Sequence, residues 1–430
     1  MAGLKAYTLC IFAILSLTNS CVMASSGSQA VGGAYWPSSA FDTFPPSAIE
    51  ISLFTHIYYA FLMPNNITFK FDITNSTALI LVNFTSTLHS SNPPLKTLFS
   101  IAADKGTEFF SRMSSNSSSR KVFIDSAIEV ARKFGFDGID LDWEYPRTQD
   151  EMENFGILLH EWRAEVEKEA VATSRPPLLL SAATYFAVDI FINEVYRSYP
   201  VGSVSENLDW INAMCYDYRG WWDTSATGAH AALYDPKSNV STSYGLRSWI
   251  KAGFPGKKLI MGLPLYGRSW KLKDPMAHGV GAPAVGLGPG ELGEMTYSEV
   301  EKFNRETNAT VVYDLATIST YSVAGTSWIG YDDVRSTTVK IMFAQALGLR
   351  GYFFWAVNGD HEWKISKAVS SVSSSAYESS KESFVTPAMS DSSGEGSITE
   401  CSNRLPMAFS LKNIPSSRSS IPVKFYPLRQ

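Results

Sequence analysis

The stretch FDGIDLDWEYP, residues 136–146, places four acidic residues among apolar neighbours. Successive side chains of a β-strand point to opposite faces, and every second residue lies about 6.6 Å further along. Asp140, Asp142 and Glu144 would therefore share one face, and the leucine and tryptophan between them would share the other. The pattern predicts a buried strand with its acidic face toward a cavity and its apolar face toward helices.

Three carboxyl groups at this spacing cannot all ionise without mutual repulsion, which pushes their pKa values apart. Glu144, the outermost, would lie at the carboxyl end of the strand, where barrel enzymes carry their active sites. We expect its pKa to be raised, as a general acid requires. A solvated acidic turn is disfavoured by the interleaved apolar residues. A Mg²⁺ site is the third interpretation, but no phosphate-binding loop accompanies it.

Eight short apolar runs along the chain predict β-strands. They are rich in Val, Ile, Leu, Phe and Tyr without strict alternation, as is typical of parallel strands buried on both faces. The predicted strands are Val31–Trp36, His56–Leu62, Lys96–Ile101, Gly138–Trp143, Leu178–Thr184, Leu208–Tyr216, Lys258–Leu263 and Gly351–Val357.

Amphipathic stretches between several of these strands predict helices, among them Ser117–Phe134, Glu151–Ala170 and Val334–Leu347. Gly135 would end the first of them. The alternation predicts an α/β fold, a (β/α)8 TIM barrel. A doubly wound fold is the alternative, and no glycine-rich phosphate loop supports it.

The alternation of predicted strands and helices is interrupted from about 269 to 327. Gly and Pro are frequent at first, and strand-like segments follow at Val311–Tyr313 and Thr317–Val323. We predict a small α+β insertion between strand seven and the following helix, forming one wall of a cleft. The predicted domains are a signal peptide at 1–24, a catalytic barrel at 25–370 and a Ser-rich tail at 371–430. The tail's composition is typical of disorder.

The N-terminus has the pattern of a secretory signal. Lys5 precedes an apolar run from Ala6 to about Leu17, and Val22 and Ala24 occupy the small-residue positions of a cleavage site. The run is too short to span a bilayer. We predict a secreted, extracellular protein without stable membrane association after signal removal, with the vacuole as an alternative. Six glycosylation sequons support secretion; they begin at Asn66, Asn75, Asn83, Asn116, Asn239 and Asn308.

The composition narrows the class of partner. The 430 residues carry a net charge of -5, so no basic surplus predicts binding to nucleic acid. Aromatic faces stack on sugar rings, although core packing accounts for most large aromatic residues; the chain has 11 tryptophans and 20 tyrosines. Cysteine and histidine lack the spacing of a zinc site. We predict no cofactor and no metal, and we expect a monomer.

The acidic stretch fills every fixed position of D-G-x-D-x-D-x-E, from Asp137 to Glu144. It thereby resembles the signature of glycoside hydrolase family 18 at the end of the fourth barrel strand. The resemblance covers roughly 31–369 and is closest to plant class V chitinases, which share runs such as Phe54-Thr55-His56. It implies hydrolysis of β-1,4 bonds between N-acetylglucosamine units of chitin or chitooligosaccharides, in defence or in chitin turnover.

The same resemblance implies a retaining, substrate-assisted mechanism. Glu144 would protonate the glycosidic oxygen while the acetamido oxygen of the substrate attacks the anomeric carbon. Asp142 would bind the acetamido N–H, and Asp140 would share a proton with Asp142. Tyr216 would orient the acetamido group and completes the predicted catalytic set. Asp137 would hold the end of the strand.

Further segments carry the resemblance toward substrate binding. The run Met214-Cys215-Tyr216-Asp217-Tyr218 resembles the family's M-x-Y-D-Y motif, in which the aspartate would bind the distorted sugar. The tryptophan that ends the run 351–355 resembles the floor of the cleavage subsite. Core packing is the alternative role for the aromatic residues among the predicted substrate-binding residues. A salt bridge to the insertion is the alternative role for Arg268. The predicted substrate-binding residues are Tyr35, Phe61, Met214, Asp217, Tyr266, Arg268 and Trp355.

The chain departs from the family pattern after strand three, where Ala102 and Ala103 follow Ser100-Ile101 in place of two glycines. Glycine allows close backbone approach and unusual dihedral angles, so the departure predicts reduced catalytic efficiency. The alternative function is therefore a catalytically weak, lectin-like carbohydrate-binding protein on the same barrel. The presence of all four predicted catalytic residues favours the enzyme.

Overall fold

The structure is a computed structural model that describes residues 30–103 and 106–372. The predicted signal peptide lies outside the described residues. The predicted tail also lies outside them, apart from its first two residues, which end a helix at 364–372.

Eight parallel strands close into a barrel, which confirms the predicted fold class. The barrel strands are β1 (Val31–Pro37), β2 (His56–Leu62), β3 (Lys96–Ile101), β4 (Gly138–Asp142), β5 (Leu179–Tyr185), β8 (Trp210–Met214), β9 (Leu259–Pro264) and β16 (Gly351–Trp355). Around the ring the order is β1, β16, β9, β8, β5, β4, β3 and β2, and each strand pairs in parallel with its neighbours.

Helices connect the barrel strands and cover their outer side. They are α1 (Asn75–His89), α2 (Thr107–Ser114), α3 (Ser117–Phe134), α4 (Gln149–Thr173), α5 (Val201–Asn207), α6 (Thr242–Lys251) and, before the last barrel strand, α8 (Val334–Ala346). Gly135 ends α3 in the left-handed conformation, with φ of 75°, as its position predicts. Thr148 begins α4 by accepting a hydrogen bond from the backbone N–H of Glu151.

Three barrel strands are shorter than predicted, and the difference moves the candidate site residues. Strand four was expected to reach Trp143, strand six to run from Leu208 to Tyr216 and strand eight to reach Val357, but β4 ends at Asp142, β8 at Met214 and β16 at Trp355. Trp143 is buried without pairing because its ring packs against Phe110 of α2 and Phe155 of α4, so its apolar character alone misled the prediction. Glu144 and Tyr216 therefore lie on loops just past the strands.

The insertion forms its own sheet after β9 and is wider than the predicted 269–327. Its strands are β10 (Tyr266–Leu272), β11 (Ala284–Leu287), β12 (Glu294–Thr296), β13 (Thr310–Asp314), β14 (Ser319–Ala324) and β15 (Ser327–Tyr331), with α7 (Tyr297–Thr307) between β12 and β13. Trp270, Tyr321 and Trp328 form a separate small core. The prediction rested on Gly and Pro content, which rises only after β10.

The main apolar core lies between the barrel and its helices, and a second cluster fills the barrel interior. A short antiparallel ribbon, β6 (Asp189–Ile192) with β7 (Val195–Ser198), follows β5 and was not predicted. Within the described residues, no helix has the length and apolar character needed to cross a membrane.

Candidate active site

Asp140 lies fully buried at the centre of the barrel and accepts four hydrogen bonds. Its Oδ2 accepts from the Tyr35 hydroxyl at 2.8 Å and from Ser100 Oγ at 2.7 Å. Its Oδ1 accepts from Ser181 Oγ at 2.6 Å and from Asn212 Nδ2 at 3.3 Å. Burial raises the pKa of Asp140, while the four donors act to lower it. These four donors fix the position of the Asp140 carboxylate at the base of the acidic row.

Asp142 has one carboxylate oxygen, Oδ1, that is buried and accepts no hydrogen bond from the described residues. Burial raises the pKa of Asp142 well above its ordinary value, and the nearby charges of Glu144 and then Asp140 raise it further. A buried carboxylate oxygen without a donor is costly, and a ligand N–H at this point would relieve that cost.

Glu144 is open to solvent at the mouth of the barrel. The surrounding protein desolvates its carboxyl group and, together with the charge of Asp217, raises its pKa to about 7. A substrate lying over Glu144 would remove the remaining water and favour the protonated form further. Glu144 thus meets the electrostatic requirement for a general acid at neutral pH.

Asp217 and Arg268 form a bidentate ion pair beside the acid. Arg268 Nε and Nη2 donate to the two carboxylate oxygens of Asp217 at 2.9 and 2.8 Å, and the Tyr266 hydroxyl donates to Oδ1 at 2.8 Å. Burial acts to raise the pKa of Asp217, but Arg268 and His230 hold it below its ordinary value. Asp217 is therefore a fixed negative charge.

An aromatic floor lies next to the acids. The rings of Phe61 and Trp355 are stacked with centroids 5.6 Å apart, and Tyr35 lies 5.5 Å from Trp355. The Tyr216 ring meets Tyr266 edge to face at 6.2 Å. Burial and then the charges of Glu144 and Asp142 raise the pKa of Tyr216, so its hydroxyl stays protonated and can donate.

The structure brings all the predicted site residues to the carboxyl end of the barrel or directly beneath it. Phe61, Tyr216, Asp217 and Trp355 keep accessible surface there. The others are nearly covered and support the floor or the ion pair; they are Tyr35, Met214, Tyr266 and Arg268.

Asp137 lies just before the first residue of β4, at the opposite end of that strand. It accepts hydrogen bonds from Lys96 Nζ at 2.7 Å, from His89 Nε2 at 2.9 Å and from the backbone N–H of Thr97 at 2.9 Å. These donors overcome burial and lower the pKa of Asp137 to about 2. The contacts agree with the predicted structural role.

Ala102 and Ala103, which replace the two glycines of the family pattern, both have negative φ. The backbone at these two positions is therefore one that alanine adopts without strain. Their dihedral angles give no reason to expect impaired catalysis.

Sequence reasoning missed several residues that shape the site. Ser181 and Asn212 are polar residues within otherwise apolar strands, and that contrast is the signal that could have found them. No sequence pattern indicated that Glu294 of β12 belongs to the site. Its Oε2 lies 2.8 Å from Arg268 Nη1. No cluster of three or more potential metal ligands is present among the described residues.

The family model of glycosyl hydrolases family 18 matches residues 33–360. The chain belongs to this family. It is therefore a glycoside hydrolase, as the sequence predicts.

Two relatives from Medicago truncatula are similar to the family 18 chain over most of its length. The class V chitinase CHIT5b is 51% identical over 342 residues, which is 79% of this chain and 89% of the relative. The Nod factor hydrolase protein 1 is 50% identical over 344 residues, again 79% of this chain and 89% of the relative.

Two solved structures share the fold of this family 18 barrel. A class V chitinase from Nicotiana tobaccum in complex with NAG4 is 40% identical, with a TM-score of 0.76. The chitinase-like agglutinin RobpsCRA from Robinia pseudoacacia is 37% identical, with a TM-score of 0.73. Each similarity covers 80% of this chain and 99% of the other chain.

Proposed function

We propose that the protein is a chitinase that hydrolyses β-1,4 bonds between N-acetylglucosamine units of chitin or chitooligosaccharides, with retention and substrate assistance. The proposal rests on one observation. The buried Oδ1 of Asp142 accepts no hydrogen bond from the described residues, and nearby Glu144 has a pKa raised to about 7. A substrate acetamido N–H is a donor of the kind that this oxygen lacks. An acid that stays protonated near pH 7 is the group that glycosidic bond cleavage needs.

In the first step, the Glu144 carboxylic acid transfers its proton to the glycosidic oxygen. The acetamido carbonyl oxygen of the sugar that contains the anomeric carbon attacks that carbon as its bond to the leaving sugar breaks. The leaving sugar departs as an alcohol, and a cyclic oxazolinium ion remains. Asp142 accepts a hydrogen bond from the acetamido N–H and stabilises the positive charge that develops on the acetamido group.

Tyr216 and Asp217 position the reacting sugar in this scheme. The Tyr216 hydroxyl donates to the acetamido oxygen and directs it toward the anomeric carbon, while Asp217 accepts from a sugar hydroxyl. Arg268 fixes the Asp217 carboxylate with two hydrogen bonds, so little reorganisation accompanies the reaction. Such preorganised groups typically contribute a few kcal/mol to catalysis, about 2.7–4 for a single donor.

In the second step, water attacks the anomeric carbon and opens the oxazolinium ring. The Glu144 carboxylate takes a proton from this water and returns to its acid form. Both displacements occur at the same carbon, so the product keeps the β configuration. Because the nucleophile belongs to the substrate, the cleaved sugar must carry an N-acetyl group.

A carbohydrate-binding protein of low activity is the second candidate, because the agglutinin from Robinia pseudoacacia shares this fold. The presence of Asp140, Asp142, Glu144 and Tyr216 together at the carboxyl end of the barrel, with the raised pKa of Glu144, favours the enzyme. From the N-terminal pattern and the sequons, we also propose that the protein is secreted.

The deciding experiment is incubation of the purified protein with the N-acetylglucosamine hexamer and, separately, with the fully deacetylated hexamer. Mass spectrometry should show shorter oligomers from the acetylated substrate only. Polarimetry or NMR of the initial products should show the β anomer. Binding of the acetylated hexamer without cleavage would assign the lectin-like function, and equal cleavage of both hexamers would exclude assistance by the substrate.

A further inference from the structure

The ribbon β6–β7 follows barrel strand β5 and projects at the end of the barrel that carries the acids. Ile190, Ile192 and Arg197 are buried on its inner face. Its two strands pair in antiparallel register, so that Phe191 lies directly opposite Tyr196. Directly opposed residues share one face of a ribbon, so Phe191 and Tyr196 occupy the outer face together.

The inner face of the ribbon is connected to the segment that carries Glu144. Arg197 Nε donates to the backbone carbonyl of Pro146 at 2.5 Å. The backbone N–H of Ser198 donates to Gln149 Oε1 at 3.0 Å. The ribbon is thus held against the loop between β4 and α4 and lies beside the candidate cleft.

The outer face is aromatic and exposed. Phe191 has 42% of its surface exposed and Tyr196 has 62%. The Tyr196 hydroxyl donates to Asp189 Oδ1 at 2.8 Å. That hydrogen bond raises the pKa of Tyr196, and Tyr244 at the start of α6 is near enough to add to the effect. Tyr244 is itself 42% exposed.

We propose that Phe191 and Tyr196 form an accessory platform that binds a length of chitin chain outside the cleft. The proposal rests on the proposed function, because it takes the polymer's own sugar as the ligand. Pyranose rings present C–H faces that pack on exposed aromatic rings, and Asp189 and the Tyr196 hydroxyl lie beside the rings as partners for sugar hydroxyls. The hydrogen bond from Arg197 to Pro146 fixes the ribbon against the loop that carries Glu144.

A platform of this kind acts only on long substrates. We expect a soluble tetramer to fill the cleft without contacting the ribbon, whereas a polymer bound on the ribbon raises the local concentration of chain at Glu144. The platform should therefore strengthen binding and turnover of insoluble chitin and leave short oligomers unaffected.

The test is the double variant Phe191→Thr with Tyr196→Thr. Threonine keeps a β-branched cross-strand pair, so the ribbon and its Arg197 contact can persist. The matched control is Tyr234→Thr, which removes another exposed tyrosine, 44% exposed, on the loop between β8 and α6. We expect the double variant to lose about tenfold in chitin-bead affinity and a similar factor in colloidal chitin turnover. Tetramer hydrolysis should stay at the wild-type rate, and the control should match wild type in every assay.

Equal bead binding by the double variant and the wild type would overturn the platform. A loss of tetramer hydrolysis equal to the loss on polymer would assign the pair to folding of the ribbon and would also overturn it. So would a wild-type dimer that the double variant converts to a monomer, because the rings would then bind a second copy. If the wild type cleaved no oligomer, the proposed function would fail, and the bead assay would still decide whether the platform binds chitin.

Discussion

Asp217 raises the pKa of Glu144 while Arg268 keeps Asp217 itself ionised. The bidentate ion pair makes the negative charge of Asp217 permanent across the neutral range. Desolvation by the surrounding protein and then that charge raise the pKa of Glu144 to about 7. The ion pair on the cleft wall therefore adds to the desolvation that keeps the acid protonated near neutral pH.

The pH dependence of kcat/KM should report this relationship. Activity requires protonated Glu144, so it should decline as the pH rises through about 7. Asp217→Asn removes a like charge, so Glu144 loses its proton more readily and the declining limb should move to lower pH. Rates measured from acidic to alkaline pH test this, with the exposed Asp125→Asn on α3 as the control. If kcat/KM of Asp217→Asn declined over the same pH range as that of the wild type, Asp217 would not raise the pKa of Glu144.

Replacement of Glu144 by Gln keeps the shape of the side chain and removes its acid. We expect hexamer hydrolysis to fall by about 10²–10⁴-fold or more, the typical contribution of general acid catalysis, while hexamer binding measured by calorimetry persists. Glu153→Gln, at an exposed position of α4, should retain full activity. Wild-type turnover by Glu144→Gln would show that another group donates the proton.

The donors around Asp140 should matter for stability as well as activity. Ser181→Ala removes the 2.6 Å hydrogen bond to a fully buried carboxylate, which should lower the free energy of unfolding by about 1–3 kcal/mol. Denaturant unfolding measures the change, and the exposed Ser86→Ala on α1 is the control, with an expected change within about 0.5 kcal/mol. Equal stabilities for the two variants would contradict the structural role of this network.

Asp137 should stabilise the fold in a pH-dependent way. Its pKa is about 2 in the folded chain and ordinary in the unfolded chain. Its contribution is therefore present above the unfolded pKa and is lost as the pH falls through about 2. Asp137→Asn should lower the free energy of unfolding at pH 7 by about 2 kcal/mol, and the difference from wild type should shrink on acidification. The exposed Asp42→Asn should change little, and a constant difference at all pH values would refute the linkage.

The Ala102→Gly, Ala103→Gly double variant tests the departure from the family pattern. Both residues have ordinary negative φ, so glycine should bring no catalytic gain. It should lower the free energy of unfolding by about 1–2 kcal/mol because the unfolded chain gains freedom. Increased turnover of the hexamer would show that the two methyl groups do impair the site.

The sequence predicts the barrel well because its strands are buried on both faces and so carry a continuous apolar signal. It also predicts the acidic row, because Asp140 and Asp142 alternate with apolar residues. The ends of β4 and β8 were misplaced because Trp143 and Cys215 are buried beyond the last paired residue. The ribbon β6–β7 was missed because its short strands have only one buried face.

The donors to Asp140 could not be predicted in the same way. Ser100, Ser181 and Asn212 are separated along the chain and meet only when their strands pair around the barrel. Their common target is a property of the closed ring and not of any local pattern.

The closed barrel also depends on the order in which its strands are synthesised. Trp355 belongs to β16, the strand that joins β1 to β9 and completes the barrel. A nascent polypeptide already contains its acids long before it contains the surface on which a sugar would lie. A polypeptide that stops before residue 355 lacks both the closing strand and the Trp355 ring that stacks on Phe61, so we expect it to have no complete cleft.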